Sequence, residues 1–306
     1  MNSSFTFRSE NKENQYPHAK PNPPPQIRRA FATDITNAIL NPDADTIDQH
    51  NPVFLGEYAK DIFSYLHSVE SHYLPAFGYM AQQPDVNEKM RSILVDWLIE
   101  VHFKFKLSPD SIYLSVNLLD RYLEKHPVPR HRLQLVGVTS LMIACKYEEI
   151  IAPEVKDYVY ITDNAYTYQE VLDMEKSILR ALGFDVTVPT AYTFLMRYNR
   201  LQGGSESVFY LAQYSIELGL VEYQMLRYSP ALFAGSALYL ANRMLGAEPW
   251  PKVLQSNSPF KEHNLKECAK DLFLLMQCSE RSSLQAVKKK FSQSKYLGVS
   301  QIRPQA

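Results

Sequence analysis

Two segments of the 306-residue sequence are rich in small residues and apolar on almost every side, and they restrict the fold more than any other feature. The first runs from Arg132 to Glu149 and holds Val136, Gly137, Val138, Ser140, Leu141, Ile143, Ala144 and Cys145. The second is opened by Ser229-Pro230 and runs from Ala231 to Ala241. A helix of this composition has no polar face to give to water, so it belongs at the centre of a bundle with other helices around it. Two such centres imply two bundles, in keeping with roughly 100–200 residues per domain. No stretch alternates apolar and polar residues with period two, and the expected fold class is all-α.

The remaining helices follow from periodicity and end signals. Ile62, Tyr65, Leu66, Val69 and Tyr73 make a leading helix from Tyr58 that Pro75 and Gly78 interrupt. Asn87 is placed to cap a helix from Glu88 to about Lys106. Ser108 at N-cap and Pro109 at N1 begin the next, with Ile112, Leu114, Val116, Leu118, Leu119 and Tyr122 following. After the first central helix come a short helix, Glu154 to Ile161, and one from Tyr168 to Leu182 that Gly183 stops. The second half repeats the grammar with Thr190 to Tyr198, Ser207 to Leu220, the second central helix, and Leu265 to Cys278. Two five-helix units are the simplest account. Residues 1 to about 53 carry Pro17, Pro21, Pro23, Pro24, Pro25 and Pro42 among polar residues and are expected to form a disordered tail. The resulting division is a tail over 1–55, a first unit with the leading helix over 56–187, a second over 188–292, and a C-terminal tail over 293–306.

Composition excludes several function classes. Lys and Arg total 32 against 33 Asp and Glu, so no global positive field draws phosphate backbones, and no direct nucleic-acid partner is expected. Cys145, Cys268 and Cys278 are odd in number and form no CxxC pair, which points to a reducing compartment, buried thiols and no structural zinc. No apolar run approaches the ~20 residues of a membrane span, and Met1 to Arg8 place Asn and Ser where a signal peptide would be apolar. The expectation is a soluble intracellular protein with no membrane partner. The 10 glycines include no GxGxxG or P-loop pattern, and HExxH, GxSxG and the kinase HRD and DFG sequences are missing, so neither catalysis nor a cofactor or metal is expected.

Three segments carry more information. On the helix from Glu88, Met90, Ile93, Leu94, Trp97 and Val101 share one side while Val95, Ile99 and Phe103 lie opposite, with Asp96 and Glu100 on one flank. Such a helix is either wholly buried or buried on one side and offered to a partner on the other. The residues alone favour burial, and Arg91 then needs a partner. Lys146 in the last turn of the first central helix complements the helix dipole, whereas Glu148 and Glu149 sit at its negative end, where they are unfavourable unless something else uses them, a misplacement that points to a binding role. Glu175 reads simply as one charge on a solvated face.

Met90-Arg-Ser-Ile-Leu-Val-Asp-Trp-Leu-Ile-Glu-Val101, Lys146-Tyr-Glu-Glu-Ile150 and Met174-Glu-Lys-Ser-Ile-Leu-Arg-Ala-Leu-Gly-Phe184 resemble the signature segments of A/B-type cyclins, in order and at the family's spacings, over residues from about 56 to 290. The resemblance implies two tandem five-helix cyclin boxes preceded by an N-terminal helix. It also implies a regulatory subunit without enzymatic activity that binds and activates a cyclin-dependent Ser/Thr kinase at the G2/M transition. Lys146 and Glu175 match the pair that holds the kinase's regulatory αC helix, and Ile143, Tyr147, Ile150, Leu179 and Phe184 match apolar positions that pack on it. Met90, Ile93, Leu94 and Trp97, with Leu133 and Gln134, match the patch that recruits substrates or inhibitors carrying an Arg-x-Leu motif. Glu100 matches the acid that pairs with the motif's arginine. In the tail, Lys12-Glu13-Asn14 is a KEN sequence, and the segment read from Arg29, with Asp34, Ile35 and Asn37, is similar to a cyclin destruction box, although Ala32 stands where the pattern has Leu. Both imply a ubiquitin ligase of the mitotic exit pathway as a partner, and the family implies a location in nucleus and cytoplasm. The sequence from Gln83 to Arg91 looks more like B-type than A-type. An A-type cyclin is the nearest alternative. A TFIIB-like transcription factor shares cyclin-like folds but would need a basic face and, usually, a zinc ribbon. A plain helical scaffold would leave the ordered signatures unexplained.

Overall fold

The computed structural model describes residues 56–303; the N-terminal tail and both candidate degrons, Lys12 to Asn14 and Arg29 to Asn37, lie outside the described residues. Helix α1 (Ala59–Val69) leads into two 3-10 turns, Glu70–Tyr73 and Tyr79–Gln82. The first domain follows as α2 (Glu88–Lys104), α3 (Pro109–Lys125), α4 (Leu133–Glu148), α5 (Val155–Ile161) and α6 (Tyr168–Ala181). The second comprises α7 (Ala191–Gln202), α8 (Glu206–Val221), α9 (Pro230–Met244), α10 (Lys252–Asn257) and α11 (Glu262–Cys278). A short α12 (Ala286–Phe291) and two 3-10 turns close the chain. Among the described residues there is no strand, and no helix is long and apolar enough to cross a membrane.

The two small-residue helices are the bundle centres. Every residue of α4 from Leu135 to Cys145 is buried, as is every residue of α9 from Phe233 to Asn242. Their small side chains let neighbours approach closely. A Cβ added at Gly137 would meet the Leu94 methyls at 2.8 Å, so α2 crosses α4 where only a hydrogen leaves room. In the second domain Gly219 of α8 likewise stands against the Phe233 ring of α9.

Helix starts follow the expected chemistry with one exception. The side chain of Asn87 accepts from Met90 N (3.0 Å), Thr190 from Thr193 N (3.2 Å) and Ser229 from Leu232 N (3.4 Å). Ser108 begins α3 with Pro109 at N1 but does not cap it, because its hydroxyl donates to Glu149 Oε1 instead (2.8 Å). Helices α10 and α12 have no counterpart in the sequence reading: six residues make under two turns, too few for a period to register. The residues after 292, read as a C-terminal tail, fold back as far as residue 303, with Tyr296 and Val299 buried. Cys145 and Cys268 are buried as expected, whereas Cys278, at the last turn of α11, is exposed.

Charged groups join the domains. Arg91 is almost completely buried on α2, and its guanidinium donates to both carboxylate oxygens of Asp120 at 2.7 Å. Its remaining donors reach the carbonyls of Leu220 (2.9 Å) and Val221 (3.3 Å), the last carbonyls of α8 in the other domain. Ser92 Oγ donates to Val221 O as well (2.8 Å). A cation at a helix C-terminus meets both the unpaired carbonyls and the negative end of the dipole. Helix α12 spans the same junction. The Asp96 carboxylate on α2 accepts from Ala286 N (3.0 Å), and buried Lys290 places its Nζ 2.7 Å from both oxygens of buried Glu217 on α8. The turn after α1 contributes a third tie, Glu70 Oε2 accepting from Ala231 N at 2.8 Å. Helix α1 precedes the first domain in sequence but rests on the second, with His67 and Phe63 against Phe194 and Arg197 over the Phe63 ring.

Candidate functional site

The end of α4, the outer face of α6 and the loop after α6 make one surface. Lys146, one helical position beyond buried Cys145, turns outward and places Nζ 2.6 Å from Glu175 Oε1 on α6. Its side chain is 44% exposed and that of Glu175 16%, so the cation is presented and the anion recessed. One residue further, Tyr147 OH and Thr187 Oγ1 are 2.6 Å apart, which stitches α4 to the loop beyond α6.

That loop displays an aromatic ring in a constrained way. Gly183 and Phe184 both have left-handed backbone, with φ of +63° and +59°. Phe184 N donates to Leu179 O (2.8 Å), closing the C-terminus of α6. Glycine adopts this geometry freely; for a phenylalanine it costs about 1 kcal/mol or more. Arg121 of α3 holds the following carbonyl, Asp185 O, at 3.0 Å. The result is a Phe184 that is 66% exposed on a backbone held by Leu179 O and by Arg121. Ile150 and Ile151, after α4, are 87% and 82% exposed. A cation–anion pair beside fixed, outward-facing apolar groups has the anatomy of a protein-binding hot spot.

The structure separates residues that the sequence reading had grouped. Tyr147, Ile150 and Phe184 face outward and Leu179 is half-buried, but Ile143 is buried in α4 and supports the surface from beneath. Ile151 was missed, although an apolar pair between a helix end and Pro153 is a visible signal. Glu149 is claimed from within: its Oε1 accepts from Ser108 N (2.6 Å), Ser108 Oγ (2.8 Å) and Ser111 Oγ (2.7 Å), so the carboxylate misplaced on α4 serves as the anion at the start of α3. Glu148 lies beside it, and desolvation together with Asp110 and Glu149 pushes its carboxyl up to about 7.

A second surface lies on α2. Ile93 and Trp97 are half-buried, Glu100 is exposed, and Gln134 at the start of α4 is half-buried. Met90, Leu94 and Leu133, expected on this patch, are buried, the last two completely. Leu94 is occupied by the close crossing at Gly137, which leaves Ile93, Trp97, Glu100 and Gln134 as the accessible members. No group of three His, Cys, Asp or Glu among the described residues is arranged to hold a metal ion.

Two bundles, each built on a buried small-residue helix, with signature residues displayed at the end of the first, define a class of protein. Family models agree: the cyclin N-terminal domain matches residues 61–187 and the cyclin C-terminal domain residues 189–305, and the chain belongs to the cyclin family. Its similarity within that family runs to the B-type, G2/mitotic cyclins. It is 43% identical over 263 residues to G2/mitotic-specific cyclin-1 of Medicago sativa subsp. varia, covering 86% of this chain and 61% of that one. Against cyclin-B1-1 of Arabidopsis thaliana it is 43% identical over 269 residues, with coverages of 86% and 63%. Against G2/mitotic-specific cyclin-B2 of Oryzias latipes the identity is 42% over 264 residues, with coverages of 85% and 67%. The chain thus spans about three-fifths of the length of most of the curated relatives it matches. Among solved structures, a viral cyclin from herpesvirus saimiri shares the fold with a TM-score of 0.63 at 22% identity, covering 70% of this chain and 97% of that one. A chain of the yeast RNA Pol II CTD kinase CTDK-1 complex shares it with a TM-score of 0.54 at 17% identity, with coverages of 65% and 69%.

Proposed function

We propose that this cyclin is the regulatory subunit of a cyclin-dependent Ser/Thr kinase acting at the G2/M transition. The Lys146–Glu175 pair, fixed at 2.6 Å beside outward-facing Tyr147, Ile150 and Phe184, carries the reading. A kinase is active only when the glutamate of its αC helix reaches the β3 lysine. A rigid surface that grips αC from outside holds that ion pair closed, so binding and activation become one event. The apolar side chains supply the energy and the charged pair sets the register. Because the backbone at Phe184 is already held in the free chain, little ordering cost remains for binding. The B-type relatives support the G2/M assignment, and a structural relative solved within a kinase complex supports the partner class.

The test is the charge swap Lys146→Glu with Glu175→Lys, which keeps an intramolecular pair while reversing its polarity. The double variant should stay folded and lose copurification of a cyclin-dependent kinase from dividing cells. Equal kinase recovery would remove the interface assignment. The second surface is proposed to recruit Arg-x-Leu substrates or inhibitors, with Trp97 and Ile93 taking the leucine and Glu100 the arginine. Trp97→Ala should spare kinase binding and lower phosphorylation of Arg-x-Leu substrates alone. The tail sequences at Lys12 to Asn14 and from Arg29 are proposed as ubiquitin-ligase degrons; alanine at Lys12, Glu13 and Asn14 should slow decay at mitotic exit. A location shared between nucleus and cytoplasm completes the proposal.

A further inference from the structure

We infer that Lys289 sets the charge preference of the α2 docking surface, favouring Arg-x-Leu peptides with an acidic residue beside the arginine over peptides with basic flanks. This rests on the reading of Ile93, Trp97 and Glu100 as a peptide-docking patch.

The geometry comes from α12. Its N-terminus is held on α2 by Asp96, whose carboxylate accepts from Ala286 N at 3.0 Å. One turn later Lys289 Nζ stands 4.0 Å from Glu100 Oε1, with side chains 73% and 46% exposed. The three consecutive lysines of α12 therefore do different work. Lys290 is buried and bound to Glu217, Lys288 is half-buried, and Lys289 alone of the three is exposed, at the edge of the patch. The anion expected to receive the peptide's arginine thus already has a cation beside it.

An exposed Lys–Glu pair at this distance is weak, roughly a two- to fivefold effect on an equilibrium, so an arriving guanidinium can displace it. The displaced ammonium stays tethered to α12 and remains within the ~8–10 Å over which exposed charges act at ordinary ionic strength. It then faces the residues flanking the bound arginine. Asp96 is the other anion nearby, but it is half-buried and occupied with the Ala286 amide. A basic flank meets repulsion from Lys289, and an acidic flank takes the ammonium that Glu100 has released. Specificity of this kind combines a new attraction with a built-in repulsion.

The experiment measures binding of three fluorescent peptides to the full chain by anisotropy at low salt. The peptides share one Arg-x-Leu core and carry glutamate, alanine or lysine beside the arginine. The wild type should prefer the glutamate peptide to the lysine peptide by about five- to tenfold. That ratio should fall toward one in Lys289→Ala and in Lys289→Gln, invert in Lys289→Glu, and shrink in ~0.5 M salt. Circular dichroism melts establish that each variant is folded, and the neutral variants keep the test decisive if the charge reversal fails that check. An unchanged ratio in Lys289→Ala and Lys289→Gln would overturn the inference while leaving the patch intact. Failure of the wild type to bind any of the three would overturn the docking reading itself.

Discussion

Arg91 carries a charge into a site from which water is almost wholly excluded, and the arrangement is tolerable only because every guanidinium nitrogen has an acceptor. Asp120 supplies two of those contacts and also accepts from Tyr79 OH at 2.8 Å. Truncating it leaves a buried cation uncompensated. Asp120→Ala should therefore cost about 3–5 kcal/mol in urea unfolding, several times the effect of removing Asp173, which pairs with Lys176 at 3.1 Å on the exposed face of α6. Asp96 yields a prediction about pH. Burial, with Glu100 nearby, pushes its carboxyl up to about 6 from an ordinary 3.8, against the lowering effect of the Ala286 and Gln285 amides and of Lys289. The folded state therefore holds the proton more tightly than the unfolded chain. The stabilisation from this group is complete below pH ~4 and is lost as pH rises through about 6. Asp96→Asn keeps an acceptor for Ala286 and should flatten that part of the stability profile; urea midpoints between pH 4 and 7 for both proteins measure it. At this scale the sequence was half legible. Arg91's need for a partner could be read directly, but not that Asp120 and two carbonyls of the other domain provide it. The family resemblance puts Leu94 and Leu133 on a surface, whereas the residues of α2 alone favour burial, and a helix apolar on both sides does not itself say which side faces outward. The Gly137 crossing decides that, and it is a fact of packing.

Among the helices, the crossing of α8 and α9 is tightly constrained. An alanine Cβ at Gly219 would sit 2.3 Å from Phe233 Cζ, and a buried aromatic ring cannot yield as a flexible chain end does. Gly219→Ala should lower stability by about 1–3 kcal/mol despite alanine's better helix propensity. Because the cause is one ring, the same substitution should cost measurably less in a Phe233→Leu background. A double-mutant cycle in urea checks this, and strict additivity would mean that the strain is relieved elsewhere. Long helices were the most legible elements: α2, α3, α4, α6, α8 and α11 each carry enough turns for apolar spacing to register, and their ends lie within a few residues of the expected ones. The short α10 and α12 were invisible for the converse reason: both fall inside the second unit as read over 188–292, and in α12 Lys288, Lys289 and Lys290 leave too few apolar residues for a stripe. Glu148 and Glu149 show how a local rule can be correct and its inference too broad. Carboxylates at the end of α4 did require a user, but for Glu149 the user is the start of α3 within the same chain.

In the molecule as a whole, the two domains are joined by groups that neither can satisfy alone. The Arg91 guanidinium meets the last carbonyls of α8, α12 is held to α2 through Asp96 and to α8 through Glu217–Lys290, and Glu70 reaches the first turn of α9. Separating the domains would expose or orphan each of them, so opening one should destabilise the other and unfolding should be a single transition. The two tryptophans allow this to be measured, because Trp97 lies on α2 of the first domain and buried Trp250 stands before α10 in the second. With Trp250→Phe the fluorescence reports the first domain, and with Trp97→Phe the second. Either substitution shifts its own curve slightly, so the comparison is with circular dichroism on the same protein. In each background, fluorescence and circular dichroism should give coincident urea transitions. Adding Lys290→Ala leaves Glu217 buried without its cation and removes the attachment of α12 to α8; the second-domain transition should then move to lower urea and separate from the first. If the curves remain superimposed, the coupling resides in the apolar contact between the domains, and the charged ties set its geometry without holding it closed.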